Sequence, residues 1–155
     1  MKGEIYIIFL ILLVFFVISF LTNILGPIIP AIIKDFELSL TLVAVLPFSF
    51  FIAYGLMSIP SGILVEWMGA KRVMQLAFVL AFAGALSFAM YPVYFVAILS
   101  LFIIGTGMAM LQVVINPLLR EAVGENRLAF YSLLGQFCFG IASFLSPIFT
   151  YAAAK

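Results

Sequence analysis

The chain has no histidine, a single cysteine, and charge on only 8% of its 155 residues. Without histidine it lacks the commonest metal ligand and the one side chain that titrates near neutral pH unaided. One thiol closes no internal disulfide, and Cys138 stands in an apolar run, where it reads as a small buried hydrophobe. Glu4, Asp35, Glu37, Glu66, Glu121 and Glu125 are all the carboxylates there are, and each falls at the end of an apolar run or between two of them. Paired acids, a Ser/His/Asp set, a phosphate loop and metal-ligand spacings are all missing, so nothing here carries an enzyme reaction and no cofactor or metal is expected. Gly105-Thr106-Gly107 and Gly135-Gln136 lack the strand–turn–helix setting of a nucleotide fingerprint. A net charge of +1 gives no sign of a nucleic acid or an acidic partner. No Asn-x-Ser/Thr sequon occurs, which fits a bacterial or archaeal membrane.

What the chain has in excess is apolar surface. Hydrophobic residues make up 67%, against roughly 45–50% in a soluble domain. A soluble fold this small has too little interior to hide them, so lipid must act as solvent. Charges divide the sequence into five apolar runs, at about 5–33, 40–65, 72–90, 94–119 and 128–152, each near or above the roughly 20 residues of a spanning helix. No ten-residue in-and-out alternation occurs, which excludes a barrel. The expected fold is an all-α membrane protein, one transmembrane bundle over 1–155 with the bilayer as its partner. The run after Met1-Lys2-Gly3-Glu4 exceeds the roughly 7–15 apolar residues of a cleavable signal, so it reads as a first span that stays. Gly26-Pro27 and Pro30 sit in its outer part. Proline removes a backbone donor and bends a helix, either as a packing kink or where this end lines a pathway and moves.

The short joint at 62–72 sets the direction of every span. It holds Glu66, Lys71 and Arg72 and is too short to leave the membrane surface, so the flanking helices are antiparallel neighbours. Lys2, Lys71, Arg72, Arg120 and Arg127 fall on one side, Lys34 and Lys155 on the other. Basic residues in short loops mark the cytoplasmic face, which places the N-terminus and this joint there.

Polar residues fall in stripes. On helix one, Ser19, Asn23, Gly26 and Pro30 follow helical spacing, with Thr22 beside them; on helix four, Gly105, Ala109, Gln112 and Asn116 do the same. Pro47, Tyr54, Ser58 and Ser61 share a face of helix two, and Gln136, Gly140, Ser143 and Pro147 one of helix five. Small residues let helices approach and hydroxyls bond across them, which accounts for the glycines, Ala109 and the serines. It accounts less well for Asn23, Gln112 and Gln136, because a carboxamide deep in hydrocarbon is costly unless paired or wet. These are expected to face an aqueous cavity.

The joint resembles the loop motif between helices two and three of the major facilitator superfamily, Gly-x-Leu-x-Asp-Arg-x-Gly-x-Lys/Arg-Arg. Gly62, Leu64, Gly69, Lys71 and Arg72 match, Glu66 replaces the Asp, and Trp67 replaces the first basic residue. Thr22-Asn23-Ile24-Leu25-Gly26-Pro27, Leu111-Gln112-Val113-Val114-Ile115-Asn116-Pro117 and Arg127-Leu128 resemble the fucose:proton symporter family of sugar transporters within it. That resemblance implies five helices of an N-terminal six-helix bundle, ending before helix six, with the C-terminal half of the carrier as the missing partner. It also implies substrate between two halves near the midplane. Three positions depart. Asn23 stands where the family has a coupling Asp, Gln112 where fucose members have an acid, and Ser132 and Gly135 where the family has Gln and Asn. An amide does not titrate, which leaves a sugar in place and removes proton coupling from these positions.

The expected function is therefore transmembrane transport of a small polar solute, sugar-like, by a fragment of a carrier. Asn23, Gln112, Asn116, Thr22, Ser19 and Gln136 are the expected solute contacts. Gly62, Glu66, Gly69, Lys71 and Arg72 are the expected gating residues. The alternative is a subunit that only packs within a membrane complex, its stripes being helix contacts.

Overall fold

A chain in lipid must satisfy its backbone polar groups internally, and a helix does so within one segment. The computed structural model describes the backbone at 2–36 and 39–153, and side chains at 5–23, 33 and 39–152. Among these residues there are five helices: α1 (Lys2–Phe36), α2 (Leu40–Met68), α3 (Ala70–Met90), α4 (Tyr94–Val123) and α5 (Glu125–Ala153). Each contains a stretch long and apolar enough to cross a membrane, that of α1 being Ile5–Asn23. The protein is all-α and multi-pass. α1 stays helical through Pro27 and Pro30. The side chains of Gly26, Pro27, Pro30, Lys2, Lys34 and Lys155, with what was expected of them, lie outside the described ones.

The helices outrun their expected ends. The joints expected over 66–71 and 120–127 are each one non-helical residue long, Gly69 and Gly124. Charge marks where an apolar run meets water, but Glu, Lys and Arg are good helix formers and do not stop the backbone. Glycine does, by turning to positive φ, 81° at Gly69 and 71° at Gly124. Each then donates its N–H back four residues, Gly69 to the Val65 carbonyl at 2.9 Å and Gly124 to that of Arg120 at 3.0 Å. That is how a helix end closes on a left-handed residue. Elsewhere the ends follow the usual signals: Ser39 caps α2 by accepting from the Leu42 N–H at 3.4 Å, and Tyr91-Pro92-Val93 links α3 to α4.

The chain divides into two compact units, Met1–Ile28 with Ile115–Lys155, and Ile29–Val114. In the second, α4 meets both α2 and α3. α2 buries Val43, Leu46, Phe50 and Ala53, one face at helical spacing. Gly105 of α4 lies against that face so closely that a Cβ there would run into the Phe50 carbonyl oxygen. Toward α3, a Cβ on Gly107 would stand 2.7 Å from the Ala77 carbonyl oxygen, and one on Gly84 2.9 Å from that of Ser100. Bare backbone at these crossings gains the contact area that holds helices together in lipid. Ser49 adds a bond to the Ile98 carbonyl at 2.9 Å, and Tyr94 one to that of Leu42 at 2.7 Å.

In the first unit, α1 buries Ile11, Val14, Phe15, Ile18 and Ser19, again one face. α5 answers with Gly135, which lies against the Phe15 ring, and with buried Ala142 and Ser146. The two helices exchange hydroxyl bonds. Ser19 donates to the Phe139 carbonyl at 2.6 Å and Ser146 to that of Phe20 at 2.9 Å. Phe149 sets its edge on the Phe20 ring, centroids 5.8 Å apart.

Candidate functional site

The α4 stripe changes character along its length. Gly105 and Ala109 are buried packing positions. Gln112, one turn on, is half-buried, and its Oε1 is shielded yet accepts no bond among the described residues. Leaving a buried acceptor unmet costs about 1–3 kcal/mol. Ser100 Oγ is the other buried polar side-chain atom without a partner among the described residues.

Asn116 is exposed and lines a pocket of about 520 Å³ with Pro117, Arg120, Glu121 and Leu128. Arg120 and Glu125, both exposed, form an ion pair across Gly124.

On α1, Ser19 is fully buried and its proton goes to Phe139. Thr22 donates to its own helix, at the Ile18 carbonyl, 2.8 Å. Asn23 is half-buried and donates to the Ser19 carbonyl at 2.8 Å, which leaves its Oδ1 without a donor among the described residues. In this arrangement the two hydroxyls are engaged by backbone, and the carboxamide of Asn23 has an acceptor with no donor among the described residues. Ser58 and Ser61 of α2 likewise bond back to the carbonyls of Tyr54 and Met57.

Gln136 of α5 is exposed, as are Gly140 and Pro147 of the same stripe. The face of α5 that packs is its neighbour, Gly135, Phe139, Ala142 and Ser146, one residue earlier at each step. One residue is about 100° of helix rotation, so the polar stripe lies beside the contact with α1.

At the Gly69 joint, Gly62 is half-buried and has open space where a Cβ would stand. Glu66, Lys71 and Arg72 are exposed and make no ion pair among the described residues, while Trp67 is 82% exposed. Glu66 lies in the last turn of α2, and Lys71 and Arg72 in the first turn of α3. A helix end favours cations at its C-terminus and anions at its N-terminus, so all three charges oppose the dipole of their own helix. Nothing within the joint repays that placement.

The Arg120–Glu125 pair and the pocket beside it are features that the pattern of the sequence alone did not single out. The available signal was a cation and an anion five residues apart with a glycine before the second, which a one-residue turn brings together.

Two glucose/galactose transporters, from Brucella abortus biovar 1 (strain 9-941) and Brucella abortus (strain 2308), are each 34% identical to this chain over 108 residues. The matched stretch is 68% of this chain and 26% of each relative, so the chain spans about a quarter of the length of the curated relatives it matches. No solved structure matches it. The family model described as Major Facilitator Superfamily matches residues 11–155. With five apolar helices, the one-residue joint at Gly69 and a match over nearly its whole length, the chain belongs to the major facilitator superfamily.

Proposed function

We propose that this chain is part of a carrier that moves a small, uncharged, polyhydroxylated solute, a sugar, across a cell inner membrane. It works by alternating access, as a secondary active or facilitative transporter, with its N-terminus in the cytoplasm and the rest of the carrier completing the machine. The observation that carries the reading is Gln112 Oε1, a shielded acceptor with no donor among the described residues. A sugar hydroxyl supplies that donor and accepts in return from the amide N–H. Asn23, Asn116 and Gln136 offer further carboxamide groups on their own helices, while Ser19 is bonded to the Phe139 carbonyl and Thr22 to that of Ile18. The two relatives bear the name of glucose/galactose transporters, which agrees with a hexose. A subunit that only packs would have no use for an acceptor kept unmet at a cost of about 1–3 kcal/mol. No carboxylate lies within the interior of a span, so coupling to protons would not run through these amides.

At the Gly69 joint, the unpaired Glu66, Lys71 and Arg72 act as a latch, held by groups beyond the chain when the cytoplasmic side is shut. Gly69 makes the joint short by turning the chain at positive φ, and Gly62 stands with open space beside it on α2.

The test is uptake of labelled glucose and galactose into proteoliposomes by the protein expressed from its whole gene. Gln112→Ala should weaken half-saturation by about tenfold, the loss of a hydrogen bond in a shielded site. Unchanged half-saturation and unchanged binding would remove Gln112 from the site.

A further inference from the structure

The pocket at the α4–α5 end of the first unit is not used by the reading above beyond Asn116. Four of its five lining residues, Asn116, Pro117, Arg120 and Glu121, come from successive turns of α4, and Leu128 comes from the first turn of α5. Their positions in α4 differ by one, four and five, which is one helix face. A volume of about 520 Å³ falls within the roughly 300–1,000 Å³ of small-molecule sites.

The lining chemistry narrows the occupant. Asn116 is exposed and makes no bond among the described residues, so its carbonyl oxygen and both amide protons are available. Arg120 is bonded by one guanidinium nitrogen to Glu125, which fixes it as one wall and leaves other N–H donors free. Glu121 supplies acceptors only. Pro117 and Leu128 are the apolar part of the wall. An anion placed here would meet the Glu121 carboxylate and find Arg120 already paired. A cation would meet Arg120. A neutral molecule with many hydroxyls and a C–H face finds donors, acceptors and an apolar platform together.

We propose that this pocket is a second station for the solute, a shallow site for a neutral polyol at the Gly124 end of α4 and α5, formed by Asn116, Arg120 and Glu121 over Pro117 and Leu128. It rests on the transport reading above and refines it: Asn116 serves a distinct place near one membrane face, apart from the Gln112 contact.

The experiment is counterflow in proteoliposomes containing the protein from its whole gene, with D-galactose and D-glucose presented from each face in turn. Asn116→Ala and Glu121→Ala are compared with the unaltered protein. Each removes one partner of a hydrogen bond, which is expected to raise half-saturation about fivefold for sugar presented at the Gly124 face. At the opposite face half-saturation stays within about twofold, since the second site is not met first from there. Equal shifts at both faces would merge the pocket with the Gln112 contact, and no shift at either would show it idle; both overturn the station while leaving carriage of sugar intact. An unaltered protein that neither binds nor moves either hexose overturns the transport reading and the station with it. Circular dichroism and elution volume of the two variants separate a local loss from misfolding, and Leu128→Ala, which leaves every polar group in place, gives a third reading of the same wall.

Discussion

The chain turns twice on a single glycine, and the two turns are built to opposite electrostatic rules. At Gly124, Arg120 stands in the last turn of α4 and Glu125 in the first turn of α5. Each suits its own helix end, and the two pair across the glycine. Glu121 and Arg127 there have the less favourable signs, but the pair satisfies the nearest charges within the joint. At Gly69 the order is inverted. The anion precedes the glycine, the cations follow it, and none has a partner among the described residues. An inverted joint gains nothing locally, which is the observation behind the latch proposed for it. A self-satisfied joint is a fixed corner. The comparison teaches that two one-residue turns at positive φ can carry opposite charge orders, one satisfied within the joint and one not.

The largest expected effect concerns the backbone itself. With φ 81° and ψ 151°, Gly69 lies in a region that side-chain-bearing residues hardly enter. Gly69→Ala should destabilise the protein by about 2–3 kcal/mol, and Gly124→Ala by about 1–2 kcal/mol. Thermal unfolding in detergent, followed by a thiol-reactive dye on Cys138, gives both midpoints. If the Gly124 variant fell further, the geometric half of the contrast would be wrong.

A smaller effect separates the joints by charge. Glu125→Gln breaks the exposed pair with Arg120 and should cost about 0.5–1 kcal/mol at low salt, with the difference fading near 1 M salt as the charges are screened. A loss that survived high salt would point to packing instead of charge.

The smallest effect on stability has the opposite sign. Removing a charge from the inverted joint, by Glu66→Gln or Lys71→Gln, should leave stability unchanged or raise it by about 0.3 kcal/mol, while shifting the inward/outward population seen by spin-label distance measurements. A clear loss of stability with no shift in population would make the Gly69 joint an ordinary corner.

Much of this architecture is legible in the residues. Long uncharged runs separated by a handful of charges leave no alternative to spanning helices, and the small-residue positions Gly105 and Ala109 are where α4 packs. Two things were not legible. Helix ends were misjudged because Glu66, Lys71, Arg120 and Glu125 were read as loop, whereas charged residues at an interface continue a helix until glycine reverses φ. The packing face of α5 was not singled out. Spacing says which residues share a face but not which way it turns, and the partners that settled it, the carbonyls of Phe139 and Phe20, are backbone atoms common to every residue type. For Gln112, the amide in an apolar run was visible in the sequence, but the missing donor at Oε1 needed coordinates.

The paired serine bonds between α1 and α5 join residues 120 and 126 positions apart. A ribosome adding roughly 5–20 residues per second makes the first of these helices some 6–24 seconds before the other exists. Until then α1 must wait among lipids or at the insertion machinery with Ser19 turned to its own carbonyls. α1 is thus made well before the helix that locks it, and an error in α5 would be felt in α1.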